Sequence, residues 1–285
     1  MIQSRLFLVG YPRSGTTLLQ SLIATQPGIT SFPESHFLKY ALTQPPHVRL
    51  LRWGLVSPTM RSHLQQRFTV FLTALGIEQP EVHLPRRSIW FKDYIGAFVD
   101  LLDRLTLAQG KTIWLEKTPG HLYHLASLAR YVPKVRFIHL IRRGVDAISS
   151  YYLLSREHPA VWRPRTIEQL VAEWQEAVQI SLQYDGKPKH LLVRYETLVA
   201  DPPATLQQVC TFIGIPLQAE CLQHYPQQAA ALSLPHEPWK AGVRQPIVNR
   251  NGDRFKQLFT EEQRATIVQA LAPIEKRLER LQARA

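Results

Sequence analysis

The sequence predicts an α/β fold of three layers, in which helices pack on a central, mainly parallel sheet. Three observations predict it. Short apolar, β-branched runs alternate with segments of helical period, as strands joined by crossover helices do. The first of these runs passes through a glycine-bounded turn directly into an apolar-faced helix, which is how a first βα unit begins. The 285 residues contain no linker, internal repeat or low-complexity run, and the 21 prolines are scattered through candidate loops, so a single domain over 1–285 is expected.

In chain order, residues 6–10 read as a buried strand, 11–15 as a loop, and 16–26 as a helix stopped by Pro27-Gly28, after which the chain turns through 30–36. Residues 40–93 depart from strict alternation and read as a helical insertion, with Leu64, Phe68, Leu72 and Leu75 on one helix face closed by Gly76. A further helix carrying Leu102 and Leu105 ends at Gly110. Residues 112–115 form a second strand and deliver Glu116 and Lys117 to its carboxyl end. A third, 135–141, delivers Arg142-Arg143-Gly144, and a fourth, 190–193, delivers Arg194-Tyr195-Glu196. Helices start at Ile167 behind the cap Thr166, at Pro202 behind Asp201, and after Thr260 with Gln263 closing a capping box. Ligands of open α/β sheets bind at the carboxyl ends of the strands, where Arg13, Lys117, Arg142 and Tyr195 are expected to converge.

Lys plus Arg number 34 against 22 Asp plus Glu, a formal net charge of +12, which points to an anionic ligand. The basic residues form no tract and carry no helix-turn-helix, zinc-finger or aromatic-basic strand signature, which argues against nucleic acid. No apolar run approaches the ~20 residues of a membrane span. The chain enters a core strand at once, leaving no room for a signal peptide. Cys210 and Cys221 lack metal-ligand spacing and read as ordinary thiols. A soluble, cytoplasmic protein without a metal site is expected.

The loop Tyr11-Pro12-Arg13-Ser14-Gly15-Thr16-Thr17 has the spacing of a P-loop, so the expected fold is P-loop NTPase-like. Gly10 and Gly15 permit the turn, and the amides from Arg13 to Thr17 then point into one phosphate-sized concavity at a helix N-terminus. One position departs from the nucleotide triphosphatase pattern: Thr16 stands where the lysine belongs, and the cation sits inside the loop as Arg13. A kinase also needs an acidic strand end to hold Mg²⁺, whereas the corresponding strand here ends in Arg142-Arg143. Two cations there suit a second phosphate bound by side chains. A transferred group of lower charge than phosphoryl, such as sulfuryl, fits a site of this kind. The rival readings are a P-loop kinase or NTPase and a non-catalytic polyanion-binding module.

These residues resemble the sulfotransferases that use 3′-phosphoadenosine 5′-phosphosulfate (PAPS), most closely in motif the bacterial, protein-tyrosine and polyketide-synthase types. The loop, with Arg13, Ser14, Gly15, Thr16 and Thr17, is similar to the family's 5′-phosphosulfate loop. Arg142, followed eight residues later by Ser150, resembles its 3′-phosphate motif, with Ser149 as the neighbouring alternative. Tyr195 lies in a segment similar to one beside the adenosine. Residues 252–260 resemble a C-terminal closing loop, in which the usual Arg-Lys-Gly is missing and Arg250 stands as a substitute ligand. The resemblance implies PAPS as co-substrate, 3′-phosphoadenosine 5′-phosphate (PAP) as product, and no metal.

Transfer to a hydroxyl needs a group to take the proton and cations to stabilise the leaving phosphate. Glu34 is the first candidate base, in Pro33-Glu34-Ser35-His36, a segment resembling that of the polyketide-type enzymes. His36 competes with it, and His121 or His124 could fill the same role. Lys117 resembles the lysine that other members place beside the transferred group. Trp53, Phe68, Phe71, Trp90, Phe91 and Tyr94 supply aromatic surface for an acceptor pocket. The expected acceptor is a hydroxylated small molecule, lipid-like or polyketide-like.

Overall fold

Alternation within a single strand explains the layering. Residues Leu6 and Leu8 of β1 (Ser4–Gly10) join one apolar cluster, whereas Phe7 and Val9 join another on the opposite face. The structure is a computed structural model, and residues 1–38, 45–247 and 253–282 are described. Among these, β1, β2 (Ile29–Ser31), β3 (Ile113–Lys117), β4 (Val135–Ile141) and β5 (His190–Arg194) form one sheet in the order β2-β3-β1-β4-β5. Every pairing is parallel. The expected three-layer sheet is therefore present, with β1 at its centre.

Helix α1 (Thr16–Ile23) packs Leu19 and Leu22 under the face of Leu6 and Leu8. Between β2 and β3 the chain inserts α2 (Pro45–Arg52), α3 (Pro58–Ala74) and α4 (Phe91–Ala108), whose Phe68, Phe71 and Phe98 belong to the cluster of Phe7 and Val9. Then come α5 (Leu125–Tyr131), α6 (Gly144–Glu157), α7 (Ile167–Leu182), α8 (Tyr195–Ala200) and α9 (Pro202–Ile213). The chain continues through α10 (Tyr225–Ala231), a 3₁₀ turn at Pro238–Arg244, α11 (Arg254–Leu258) and α12 (Glu261–Gln282).

The caps form as the sequence predicts. Thr166 and Gln169 exchange both bonds of a capping box, the Asp201 side chain accepts from Ala204 N at 2.9 Å, and Thr260 and Gln263 bond reciprocally at 3.0 and 3.3 Å. Each such cap stabilises its helix by about 1 kcal/mol. Two local expectations change. α1 ends at Ile23, three residues short of Gln26. The turn expected after Gly28 opens with β2, a strand of 3 residues defined by its pairing with β3 and too short to show a period of its own.

The strand order places a switch point at β1. The chain leaves β1 towards β3 on one side and returns past it to β4 and β5 on the other, so a crevice opens beyond the carboxyl ends of β1 and β4. The loop after β1 sits in that crevice.

Candidate active site

The loop is shaped by two close approaches. A Cβ on Gly10 would stand 2.4 Å from the Leu140 carbonyl oxygen of the adjacent strand, and one on Gly15 (φ 94°) would stand 2.4 Å from Cδ2 of Tyr195. Only glycine fits either position. Gly15 caps α1, whose first turn carries no acidic residue, so its positive end is open to an anion. Arg13 (φ 69°) and His36 (φ 49°) are two of the three non-glycine residues of positive φ among the described residues. Strain of this kind persists where the surroundings over-determine it.

Around the loop lies a cavity of about 1250 Å³. That exceeds the ~300–1,000 Å³ typical of one small ligand, so it has room for a donor and an acceptor together. One end is walled by Gly15 to Thr17, Arg142, Tyr195, Val243 and Arg254, the other by Tyr11, Tyr123, His124, Tyr151, Trp162 and Trp239.

The first end is an anion site by its electrostatics. Arg13 Nε donates to Ser150 Oγ at 3.2 Å. Arg142 Nη1 donates to the Arg13 carbonyl at 2.9 Å, and its guanidinium stacks on the Tyr195 ring 4.5 Å from the centroid. Burial, followed by the neighbouring guanidinium groups of Arg142 and Arg254, pulls Arg13 down to about 10. Burial likewise lowers Arg142. Three guanidinium groups held together against their mutual repulsion are arranged for a multiply charged anion. Arg143 does not join them: it is exposed and donates through Nε to Asp146 at 2.8 Å, so the expectation of two cations at this strand end is corrected to one. Ser150 lines the cavity, while Ser149 turns back to the Val145 carbonyl at 2.5 Å. Ser14 is buried beneath the loop and does not line the cavity. Arg250 lies outside the described residues.

Between the two ends stands Glu34. Its Oε1 accepts from Lys117 Nζ and lies 3.0 Å from Lys240 Nζ, and its Oε2 is 3.5 Å from His36 Nε2. Burial alone would raise the Glu34 carboxyl, but Lys117 and Lys240, with His36, outweigh it and hold it well below the usual range. Lys117 is 1% exposed, lies 3.4 Å from Thr17 Oγ1, and is pulled down by burial, against the opposing pull of Glu34, to about 8. Lys240, on the 3₁₀ turn, also bonds Glu237 at 2.6 Å.

Glu116 and His121 do a different job. Glu116 Oε1 accepts from Ser35 N, Ser35 Oγ and Thr118 Oγ1 at 3.2, 2.8 and 2.6 Å, and its Oε2 bonds His121 Nδ1 at 2.9 Å. His121 Nε2 accepts from Leu38 N at 3.3 Å. Both ring nitrogens are thus engaged in holding the loop of Glu34 against β3, and His121 is removed from the possible bases. His124 reaches the cavity, but burial, followed by the nearby His121, lowers it to about 3.

The acceptor end is built from residues that the sequence did not single out. Tyr151 meets Trp162 edge-on at 5.3 Å, Trp162 meets Trp239 edge-on at 5.8 Å, and Tyr11 lies 6.3 Å from Tyr151. The aromatic side chains between 53 and 94 do not line this cavity: Phe68, Phe71, Phe91 and Tyr94 are buried in the core, and Trp53 is 77% exposed. Among the described residues, Tyr11 Oη, His124 Nε2 and Trp162 Nε1 are buried with no protein partner, polar atoms positioned to meet a ligand. Among the same residues, no three His, Cys, Asp or Glu side chains gather as metal ligands.

Comparison with known proteins agrees with this geometry. The sequence model of the sulfotransferase family matches residues 5–219. The chain is 22% identical over 234 residues to a protein-tyrosine sulfotransferase of Drosophila melanogaster, covering 77% of this chain and 40% of that one. It is 23% identical over 249 residues to the omega-hydroxy-beta-dihydromenaquinone-9 sulfotransferase Stf3 of Mycobacterium bovis, covering 74% of this chain and 62% of that one. Both matches span less than two thirds of the relative. Among solved structures, the sulfotransferase domain of the Synechococcus PCC 7002 olefin synthase superposes with a TM-score of 0.57 at 19% identity, covering 95% of each chain. Mouse sulfotransferase SULT7A1, solved with PAP, superposes with a TM-score of 0.55 at 15% identity, covering 96% of this chain and 85% of that one. The shared fold is that of P-loop sulfotransferases, as the sequence predicts.

Proposed function

Since the chain belongs to the sulfotransferase family, we propose that it moves a sulfuryl group from PAPS to a hydroxyl of a small-molecule acceptor, without a metal. The observation that carries this reading is the division of the cavity into a guanidinium-lined end and an aromatic end with Glu34 between them. The donor supplies an activated sulfuryl group on a 5′-phosphate, together with a 3′-phosphate by which it can be held.

The chain's own residues divide the remaining work. The loop amides from Arg13 to Thr17 and the start of α1 receive the 5′-phosphate. Arg142 and Ser150, with Arg254 nearby, receive the 3′-phosphate, and the Tyr195 ring holds Arg142 in place by stacking. Arg13 and Lys117 place positive charge where the leaving phosphate accumulates negative charge, the task a metal performs in phosphoryl transfer. Glu34 receives the acceptor proton, with His36 beside it at 3.5 Å. The acceptor rests on the wall of Tyr11, Tyr151, Trp162 and Trp239, whose ring faces and edges fit a planar body better than an alkyl chain. The free thiols of Cys210 and Cys221 accord with a reducing, cytoplasmic setting.

The test is transfer of labelled sulfate from PAPS in the presence of EDTA to a panel of phenols, aryl alcohols, long-chain alcohols and tyrosine peptides. Labelling of the ring-bearing small molecules is expected, with Trp162→Ala raising their KM at least tenfold. Labelling confined to peptides or to alkyl alcohols overturns the acceptor reading, and no labelling without added metal overturns the mechanism.

A further inference from the structure

Lys240 has no counterpart in the sequence motifs, yet it is 5% exposed and bonded to the candidate base. A buried ammonium is stable only where carboxylates surround it. Lys240 has two, Glu34 at 3.0 Å and Glu237 at 2.6 Å. The two oxygens of Glu34 are unequal: Oε1 is shared by Lys117 and Lys240, while Oε2 meets only His36 among the ion-pair partners, at a longer 3.5 Å. The two lysines also differ. Lys117 rises from β3, is 3.4 Å from Thr17 of the phosphate loop, and so faces the anion that the loop is shaped to hold. Lys240 stands on the opposite wall with a carboxylate of its own on the same turn.

We infer that Lys240 is a positioning residue for the transfer, clamping Glu34 through Oε1 so that Oε2 is the oxygen offered to the acceptor hydroxyl. The inference rests on the reading of Glu34 as the base. When Lys117 turns towards the charge growing on the leaving phosphate, Glu34 would be left as a buried carboxylate without its main partner, and it would take up a proton before it is needed. Lys240 prevents this, because its own charge is balanced by Glu237 whatever the donor does. In the step itself the acceptor oxygen forms a bond to sulfur and its proton passes to Oε2. The sulfur–oxygen bond to the 5′-phosphate breaks, and the phosphate keeps the electron pair. The turn that carries Lys240 also contributes Trp239 to the acceptor wall and Val243 to the nucleotide wall, so the clamp joins both halves of the cavity.

The charged groups facing Glu34 are Lys117 from β3, Lys240 from the 3₁₀ turn with Glu237 behind it, His36 from Glu34's own loop, and Arg13 from the glycine loop. Removing Lys240 takes one of the two ammonium groups that keep Glu34 ionised, so its protonation must move to higher pH. The experiment is a carboxyl ¹³C titration of protein labelled at glutamate, with the Glu34 signal assigned by its loss in Glu34→Gln. It is run beside kcat against pH and calorimetric PAP binding.

In Lys240→Met the Glu34 midpoint and the acid limb of kcat should both rise by about 1 pH unit or more. At pH 6, kcat should fall at least tenfold while the Kd for PAP stays within threefold, and Lys240→Arg should restore the midpoint and the rate. An unmoved midpoint, or a loss of rate that arginine does not rescue and that follows a loss of thermal stability, overturns the clamp. The two readings fail separately. If Glu34→Gln keeps full turnover while Lys240→Met still shifts the carboxyl, the base assignment falls and with it the catalytic role of the clamp. If Glu34→Gln abolishes turnover and Lys240→Met moves nothing, the clamp alone falls.

Discussion

Replacing Arg142 by alanine should separate the two phosphate subsites. Arg142 stacks on Tyr195 at 4.5 Å, bonds the Arg13 carbonyl at 2.9 Å, and is buried enough that its own charge is disfavoured. A 3′-phosphate bound there forms a desolvated, charge-assisted pair, and truncating one partner of such a pair costs about 2 to 5 kcal/mol. At about 1.4 kcal/mol per factor of ten, that is roughly a 30- to 4,000-fold loss of affinity for PAP. Adenosine 5′-phosphate lacks the 3′-phosphate and should lose far less. It should lose something, because Arg142 also supports the Arg13 carbonyl, although removing Arg142 relieves part of the repulsion on Arg13. Isothermal titration of the wild type and Arg142→Ala with both nucleotides measures the difference directly. Equal losses for the two ligands would refute the assignment, because Arg142 would then serve the loop rather than the 3′-phosphate.

Two further outcomes follow from the same geometry. Lys117, lowered to about 8, is an ammonium below that pH and loses its proton above it, so turnover should fall as pH rises through about 8. Lys117→Arg should move that limb upward, and a limb that stays in place assigns it to another group. Gly15→Ala forces a Cβ to 2.4 Å from the Tyr195 ring at a φ of 94°. It should weaken PAP at least tenfold and lower the Tm by a few degrees, since left-handed backbone costs a non-glycine residue about 1 kcal/mol or more. Unchanged PAP affinity in a folded variant would remove Tyr195 from the nucleotide site.

The legible part of this molecule is the part tied to hydrophobic strands. Gly15, Lys117, Arg142 and Tyr195 each follow an apolar run, and a parallel sheet brings the ends of such runs together, so their convergence could be expected from position in the chain alone. Glu34 and His36 were legible through resemblance of a short segment, but not as a carboxylate held between two lysines. Lys240 and Trp239 lie on a 3₁₀ turn, which has no period to read, and Trp162 lies in the connection between α6 and α7. No local signal marks any of the three. The aromatic residues of the insertion misled for a complementary reason: helical periodicity identifies a buried face and cannot tell a core from a cavity wall. Arg143 looked like a second phosphate ligand because adjacency in sequence hides direction, and its partner Asp146 sits one helical turn on.

The central claim is that this cavity grips an adenine nucleotide at both of its phosphates by side chains and amides, with no metal between them. Calorimetric titration of the protein in EDTA with PAP, set against ATP with Mg²⁺, tests it most directly. Tight binding of PAP that is unaffected by EDTA, with ATP-Mg²⁺ much weaker, is the predicted result. Preference for ATP-Mg²⁺, or no binding of PAP at all, would contradict it.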